Sequence, residues 1–299
     1  MKKISIVIVT YNSEEDIYDC LSSIRQWSDV PMEELEIIVV DNNSRDSKSM
    51  FAQIREQWGD GVVLIDNPQN GGYGQGNNVG IRAASAPIIM VMNPDVRLYE
   101  PVFQKVIAAY ENDPELNLYG MKQMLTPERP SKKTTDMTYM MNGWIRAFLS
   151  SFMSRTDWYF PRWMFISGAC FFVRKSAFEE VGLFDEENFM YGEEDDIRLR
   201  LQKRFGVHVR YDRSLHYLHL IKDRIVSAKS LVREAESCLL LYGKKGYAPK
   251  YILHRFTQNL RAVIAYHRLL ERLGKRQANL PMELEALEQL KQMKQTLSK

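Results

Sequence analysis

The chain has 299 residues, 45% of them hydrophobic and 26% charged, with a formal net charge of +2. This is an ordinary globular composition, long enough for one large domain or two small ones, and it excludes a disordered or low-complexity protein. Three scattered cysteines, Cys20, Cys170 and Cys238, exclude a disulfide framework and lack metal-ligand or redox spacing, so they read as buried thiols in a reducing cytosol.

Charge is unevenly spread. Gly243–Lys299 carries twelve Lys/Arg against four Asp/Glu, a net of +8, which leaves −6 on the first 242 residues. The last fifth is therefore expected to be a separate piece. No run approaches the roughly 20 apolar residues of a spanning helix. The short apolar run at the N-terminus ends in polar residues, not a cleavage site. A cytoplasmic protein is expected, one that could meet the inner face of the cell membrane only from its surface.

The first hundred residues repeat one pattern four times: an apolar run, a polar cluster, then helical spacing. The runs are "ISIVIV" (4–9), "LEIIVV" (35–40), "VVLI" (62–65) and "PIIMVM" (87–92). They end in "TYNSEED", "DNNSRD", "DNPQNGGYGQGNN" and "NPDVRL". Continuously apolar, β-branched runs suit parallel strands buried on both faces. Helices are predicted over 14–27, 45–58 and 77–85, the first with Ile17, Cys20, Leu21 and Ile24 on one face. Such alternation predicts a doubly wound α/β sheet. Ligands bind beyond the carboxyl ends of its strands, where all four polar clusters fall.

Residues 67–81, "NPQNGGYGQGNNVGI", stand where a dinucleotide fingerprint would. No glycines there have the i, i+2, i+5 spacing: Gly72 and Gly74 are followed by Asn77, and Gly74 and Gly76 by Val79. The glycines are expected instead to let backbone N–H groups approach an anion at a helix start. Asp41, directly after a strand, can accept a hydrogen bond from a base, with Thr10, Tyr11 and Asn12 beside the same nucleoside. Asn93 and Asp95, two residues apart on a turn, suit Mg²⁺ or Mn²⁺ shared with substrate phosphates. The pattern points to a nucleoside diphosphate with a divalent metal.

Residues 139–165 mix aromatics, methionines and scattered arginines, which suits a loop packed on the sheet or a surface facing an acceptor or membrane. A strand-like run then leads through a "GLFDE" turn to four consecutive acids, Glu193 to Asp196, at a helix start. The acids can complement the helix dipole. Crowded beside apolar groups, one of them also makes a competent general base. In "DRSLHYLHLIKD" (212–223), Leu215, Tyr217 and His219 share one strand face, and His216 and Leu218 the other. His208, His254 and His267 read as structural. Finally, 248–273 places Ile252, Phe256, Leu260, Val263, Ile264 and Leu270 at helical spacing, with Arg255, Arg261, Arg268 and Arg272 mostly off the stripe. Such a face either packs on its own domain or lies on an anionic membrane.

"VIVTYNSEEDIYDCLSSI", "IIVVDNNSRDS", "NGGYGQGNNVGI", "MNPDV", "SGACFFVRKSAFEEVGLFDE" and "YGEEDDIRLR" resemble, in order, the motifs of family-2 glycosyltransferases, nearest the rhamnosyltransferase-like branch. The resemblance implies a GT-A fold: an α/β, doubly wound, mostly parallel sheet flanked by helices, here with a C-terminal helical extension. It implies a GT-A domain over 1–224, with a nucleotide-binding half (1–98) and an acceptor and catalytic half (99–224), and a basic helical extension over 225–299. By resemblance, Thr10, Tyr11, Asn12 and Glu14 bind the nucleoside and Asp41, with Asn42, reads the base. Gly71, Gly74 and Asn77 form the loop beside the nucleotide.

Asp95 matches the last acid of the family's Asp-x-Asp metal motif, whose first acid is here the amide Asn93. His219, or else His216, is the further metal or diphosphate contact. The family's Glu-Asp pair aligns on Glu193–Glu194, which makes Glu194 the catalytic base; a shift of one nominates Asp195 but displaces Arg200. The implied enzyme is inverting and metal-dependent (Mg²⁺ or Mn²⁺). It would move a sugar such as rhamnose from a UDP- or dTDP-sugar to a glycan or lipid-linked acceptor in cell-surface polysaccharide synthesis.

Two alternatives keep the fold. A sugar-nucleotide nucleotidyltransferase would carry glycines near residue 10, where "VTYNSEE" has none. A non-catalytic sugar-nucleotide-binding protein suits Asn93 but not the intact acid cluster. Nucleic acid is not an expected partner, because the first 242 residues are net acidic.

Overall fold

The computed structural model describes residues 1–131, 134–146, 149, 152, 157–220 and 227–297. The boundary expected at 224/225 and parts of 139–165 lie outside the described residues. The chain divides into two compact units: Met1–Thr135 with Ile166–Phe189 and Ile197–Ile221, and Asp136–Phe165 with Met190–Asp196 and Lys222–Lys299.

The first unit is a sheet with flanking helices. The four apolar runs form β1 (Ile4–Thr10), β2 (Leu35–Asp41), β3 (Val62–Asp66) and β4 (Ile88–Met92), paired in parallel in the order β3-β2-β1-β4. β5 (Val96–Arg97), β6 (Leu118–Thr126) and β7 (Arg129–Pro130) follow in this unit, while the small pair β8 (Thr135–Met137) and β9 (Met164–Ile166) belongs mostly to the second. Then β10 (Cys170–Arg174) inserts antiparallel between β4 and β6, and β11 (Val209–His219) runs parallel to β6. Strands β1, β2 and β4 are almost wholly buried, as their continuous apolar runs require. β3 is the sheet edge, and Val63 there is 43% exposed.

Helix α1 (Glu14–Gln26) buries Ile17, Cys20, Leu21 and Ile24, the expected face. Its first turn holds Glu14, Glu15 and Asp16 and its last holds Arg25, both favourable to the helix dipole. Helix α2 is Ser47–Trp58. Helix α3 (Gly72–Ala83) begins five residues before the expected 77, so the glycines lie inside it. Their role is close packing. A Cβ on Gly80 would stand 2.5 Å from Val7 Cγ1, and one on Gly76 2.6 Å from the Asn42 amide. Gly72 has φ 90°, and its Cβ would meet the Phe189 carbonyl oxygen at 2.0 Å.

The second unit contains three C-terminal helices, Ala228–Gly243, Pro249–Arg272 and Leu280–Thr296, which pack on one another. Ile252, Phe256, Leu260 and Ile264 are buried in it, and His267 Nδ1 lies 2.8 Å from Glu283 Oε2. That stripe therefore packs within its own unit rather than facing a membrane. Among the described residues, no helix is long and apolar enough to cross a membrane.

Packing outweighs propensity in α3. Gly80→Ala would gain about 1 kcal/mol in helix propensity, yet must displace the β-branched Val7 at a cost of about 1–3 kcal/mol. Urea unfolding should show a net loss of stability for Gly80→Ala and a larger one for Gly72→Ala; a stabilised Gly80→Ala would refute the close approach.

Candidate functional site

The carboxyl ends of β1, β2 and β3 stand in register, Thr10 beside Asp41 and Asp41 beside Asp66. Asp41 has no exposed surface. Its Oδ1 accepts hydrogen bonds from Thr10 Oγ1 (2.9 Å) and Ser44 Oγ (2.6 Å), and its Oδ2 accepts one from the Ser44 N–H (2.8 Å). Ser44 Oγ in turn accepts the Asn12 N–H at 2.8 Å, and Asn12 Oδ1 accepts the Arg45 N–H at 3.2 Å. Asn12 and Asn43 take left-handed conformations, φ 50° and 62°, which asparagine tolerates better than most residues. Asp41, expected to read a base, has both oxygens engaged in holding the first two loops together. Tyr11, 52% exposed, and Asn12 form the outward part of that assembly.

The third loop joins the same network. Asn67 donates its N–H to Asp41 O (2.9 Å) and its amide to Asn42 Oδ1 and Gln75 Oε1, both at 2.8 Å. Asn42 donates to Gly72 O at 2.9 Å, so this nearly buried amide also ties loop to helix. At the start of α3, the Gly72 N–H donates to Asn70 Oδ1 and the Tyr73 N–H to Phe189 O. Gly74 is covered by Phe184, where a Cβ would stand 3.0 Å from its Cβ. Gly71 and Gly74 thus serve a turn and a packed face, and the first N–H groups of α3 are partly committed to protein. Asn77 is 1% exposed; its amide donates to Tyr73 O, while its Oδ1 has no partner. Glu14 sits half-buried in the first turn of α1.

Asp95 and His219 come together through strand pairing. His219 pairs with Val96 across β11 and β5, and the Leu220 N–H donates to Asp95 O at 2.9 Å. The two side chains approach to 3.3 Å, Asp95 Oδ1 to His219 Nε2, and His219 Nδ1 is buried without a partner. His216, the other candidate, is 3.0 Å from Glu100 instead. Half-buried Asn93 donates its N–H to Ala169 O. Among the described residues, no three acid, imidazole or thiol groups form a ready ligand cluster. One carboxylate and one imidazole still fit an ion whose remaining ligands are phosphate oxygens and water.

In the second unit, Tyr191 and Gly192 take φ 80° and 85° directly before the helix Glu193–Phe205. A non-glycine residue in that region carries strain that the surroundings must hold. Ser237 Oγ donates to Met190 O at 2.6 Å, and Gly192 packs on Leu241. The four acids have different fates. Asp195, fully buried, accepts on Oδ2 from Thr138 Oγ1 (2.7 Å), the Tyr139 N–H (3.1 Å) and the Tyr242 hydroxyl. Asp196 pairs with Lys245. Glu193 is 5% exposed and its Oε1 has no partner; burial, then neighbouring Glu194, holds its carboxyl well above the usual carboxylate range. Glu194 alone of the four is not buried. Burial and Asp195 likewise push the Tyr242 hydroxyl well up, so it stays a donor.

Sequence reasoning missed Ser44, Asn67, Thr138, Tyr242 and Lys245. Ser44 had a local signal, the Asp-x-x-Ser spacing of a side-chain-bonded turn. Tyr242 is 47 residues from Asp195, and no local pattern marks it.

The chain is similar to several known proteins. The chain is 28% identical over 215 residues to the low-salt glycan biosynthesis hexosyltransferase Agl10 of Haloferax volcanii, covering 67% of this chain and 62% of that protein. It therefore spans less than two thirds of that relative's length. It is 27% identical over 264 residues to N-acetylglucosaminyl-diphospho-decaprenol L-rhamnosyltransferase of Mycobacterium tuberculosis, covering 81% and 82%. The mannosyltransferase PcManGT from Pyrobaculum calidifontis, solved in complex with GDP-Man and Mn²⁺, matches with TM-score 0.60 at 16% identity. That match covers 99% of this chain and 84% of the other, and shows a shared GT-A fold. The profile of glycosyl transferase family 2 matches residues 5–182, more than half of the chain. The chain belongs to glycosyl transferase family 2.

Proposed function

We propose that the protein transfers a sugar, with inversion, from a nucleoside-diphosphate sugar to a hydroxyl of a glycan or lipid-linked acceptor in cell-surface polysaccharide synthesis. The observation that carries this is the acid turn. Glu193, Asp195 and Asp196 are buried, Asp195 held by donors and Asp196 by Lys245, and Glu194 is the one acid of the four with solvent access. In the proposed reaction the acceptor oxygen bonds to the anomeric carbon as the bond from that carbon to the diphosphate oxygen breaks. The acceptor proton passes to Glu194, a step worth typically about 10²–10⁴-fold. Tyr11, Asn12 and Glu14 would bind the nucleoside, on loops that Asp41 and Asn42 hold in place, with Asn77 and Asn93 as further donor contacts. The unpaired Asn77 Oδ1 is an acceptor available to a donor hydroxyl. Asp95 and His219 would hold Mg²⁺ or Mn²⁺, whose chemistry when bound is to offset charge on the departing diphosphate.

The donor is proposed to be a UDP- or dTDP-sugar, as the resemblance to the rhamnosyltransferase-like branch implies. The rhamnosyltransferase at 27% identity makes an activated rhamnose the first donor to test. The lipid-linked acceptor in that relative's name supports an acceptor of the same kind here.

Two experiments test the reading. Glu194→Gln should lower turnover about 10²–10⁴-fold in a sugar-transfer or donor-hydrolysis assay, with nucleotide affinity and melting temperature unchanged. Asp195→Ala should mainly unfold the protein more easily, by about 2–4 kcal/mol, since three donors, two of them buried, lose one acceptor. The opposite pattern, a stable but inactive Asp195→Asn beside an active Glu194→Gln, would move the base to Asp195. For the metal, a chelator should abolish turnover and Mn²⁺ or Mg²⁺ restore it, and Asp95→Asn should raise the metal concentration needed. Full turnover in excess chelator would contradict a metal role.

A further inference from the structure

The second unit carries nineteen Lys/Arg and thirteen Asp/Glu, a net of +6, and the first unit therefore −4. Within the second unit the positive charge gathers at one place. Between Pro249 and Met282 there are seven Lys/Arg and one acid, Glu271. Arg261, Arg268 and Arg272 recur at i, i+7 and i+11 along the helix Pro249–Arg272, forming one exposed stripe, and Lys275 and Arg276 extend it past the helix end.

An apolar stripe lies beside it. Tyr266, Leu269 and Leu273 follow at i, i+3 and i+7, which is one helix face, and are 49%, 52% and 65% exposed. The same face is occupied two turns earlier, about 10 Å along the axis. There Gly143 lies flush on the helix backbone, so close that a Cβ would stand 2.1 Å from the Asn259 nitrogen. The residues directly after Gly143, Trp144 and Ile145, are 55% and 53% exposed. Tyr266, Leu269 and Leu273 thus form one exposed apolar face bordered by cations, and the exposed Trp144 and Ile145 follow a glycine seated on the same helix.

We propose that this surface docks the protein on an anionic lipid membrane, with the five apolar side chains at the headgroup–acyl boundary and the basic stripe against lipid phosphates. Aromatic and aliphatic side chains beside arginines match an interface with an apolar interior and an anionic rim. A second copy of this chain is the weaker occupant. A two-fold contact would set each basic stripe near its own copy, and like charges facing each other oppose association. The inference is independent of the reaction proposed above.

The test is sedimentation of the full chain with vesicles of phosphatidylglycerol and phosphatidylcholine, at low and high salt. Binding should require the anionic lipid, weaken as salt rises, and fall at least about tenfold in Leu269→Glu/Leu273→Glu. Both leucines are exposed, so the melting temperature should hold. Lys48→Glu, which changes exposed charge on α2 of the first unit, should bind as the parent does. Protein left in the supernatant at every composition, or equal binding by the leucine variant, overturns the proposal. So does a dimer in analytical ultracentrifugation that the same leucine substitutions abolish, since it assigns the surface to a second copy.

Discussion

One residue with no exposed surface, Asp41, ties the ends of three parallel strands together. Asp41 takes hydrogen bonds from Thr10 on one strand and Ser44 on its own loop, and its backbone oxygen takes one from Asn67 on the next. Burying a charge is costly unless every oxygen is satisfied. Charge-assisted bonds, each worth about 1.5–3 kcal/mol, offset that cost only while both loops keep their geometry. The network therefore couples strand register to loop conformation. Asn42 and Asn67 extend it to α3, and the glycines of α3 let the helix lie close enough for those bonds to form.

The acid turn in the second unit follows the same logic with another outcome. Tyr191 and Gly192 bend the chain into a conformation that needs support, and the C-terminal helices supply it through Ser237, Tyr242 and Lys245. Four adjacent acids would otherwise repel one another. Here two are neutralised by donors or a cation, and one, Glu193, is held toward its protonated form by burial. Glu194, the one acid of the four that is not buried, sits in a turn whose shape its neighbours maintain. The basic extension, compositionally distinct, is thus also a structural part of the turn that bears the proposed base.

Much of this was legible in the sequence, unevenly. Strands β1, β2 and β4 follow from continuous apolar runs, because burial on both faces leaves no other pattern. The edge strand β3 carried the same signal without the burial, since an edge is a property of the whole sheet. The start of α3 was misplaced because glycine has poor helix propensity, and only the packed partners Val7, Asn42 and Phe189 explain glycines there. The antiparallel entry of β10 has no local signature. The apolar stripe Ile252–Leu270 had two readings, because burial and membrane binding impose one periodicity, and packing against neighbouring helices decided for burial of Ile252, Phe256, Leu260 and Ile264. Asp195 and Glu194 are alike in sequence; long-range contacts to Thr138 and Tyr242 separate them.

The central claim is that Asp41 organises the loops proposed to bind the nucleotide rather than touching the base. Amide hydrogen exchange of Asp41→Ala, read beside calorimetric binding of UDP and dTDP, tests it directly. The account predicts faster exchange at residues 11–13 and 42–45 together with weakened nucleotide binding. Weakened binding with loop protection unchanged would contradict it and make Asp41 a direct contact with the base.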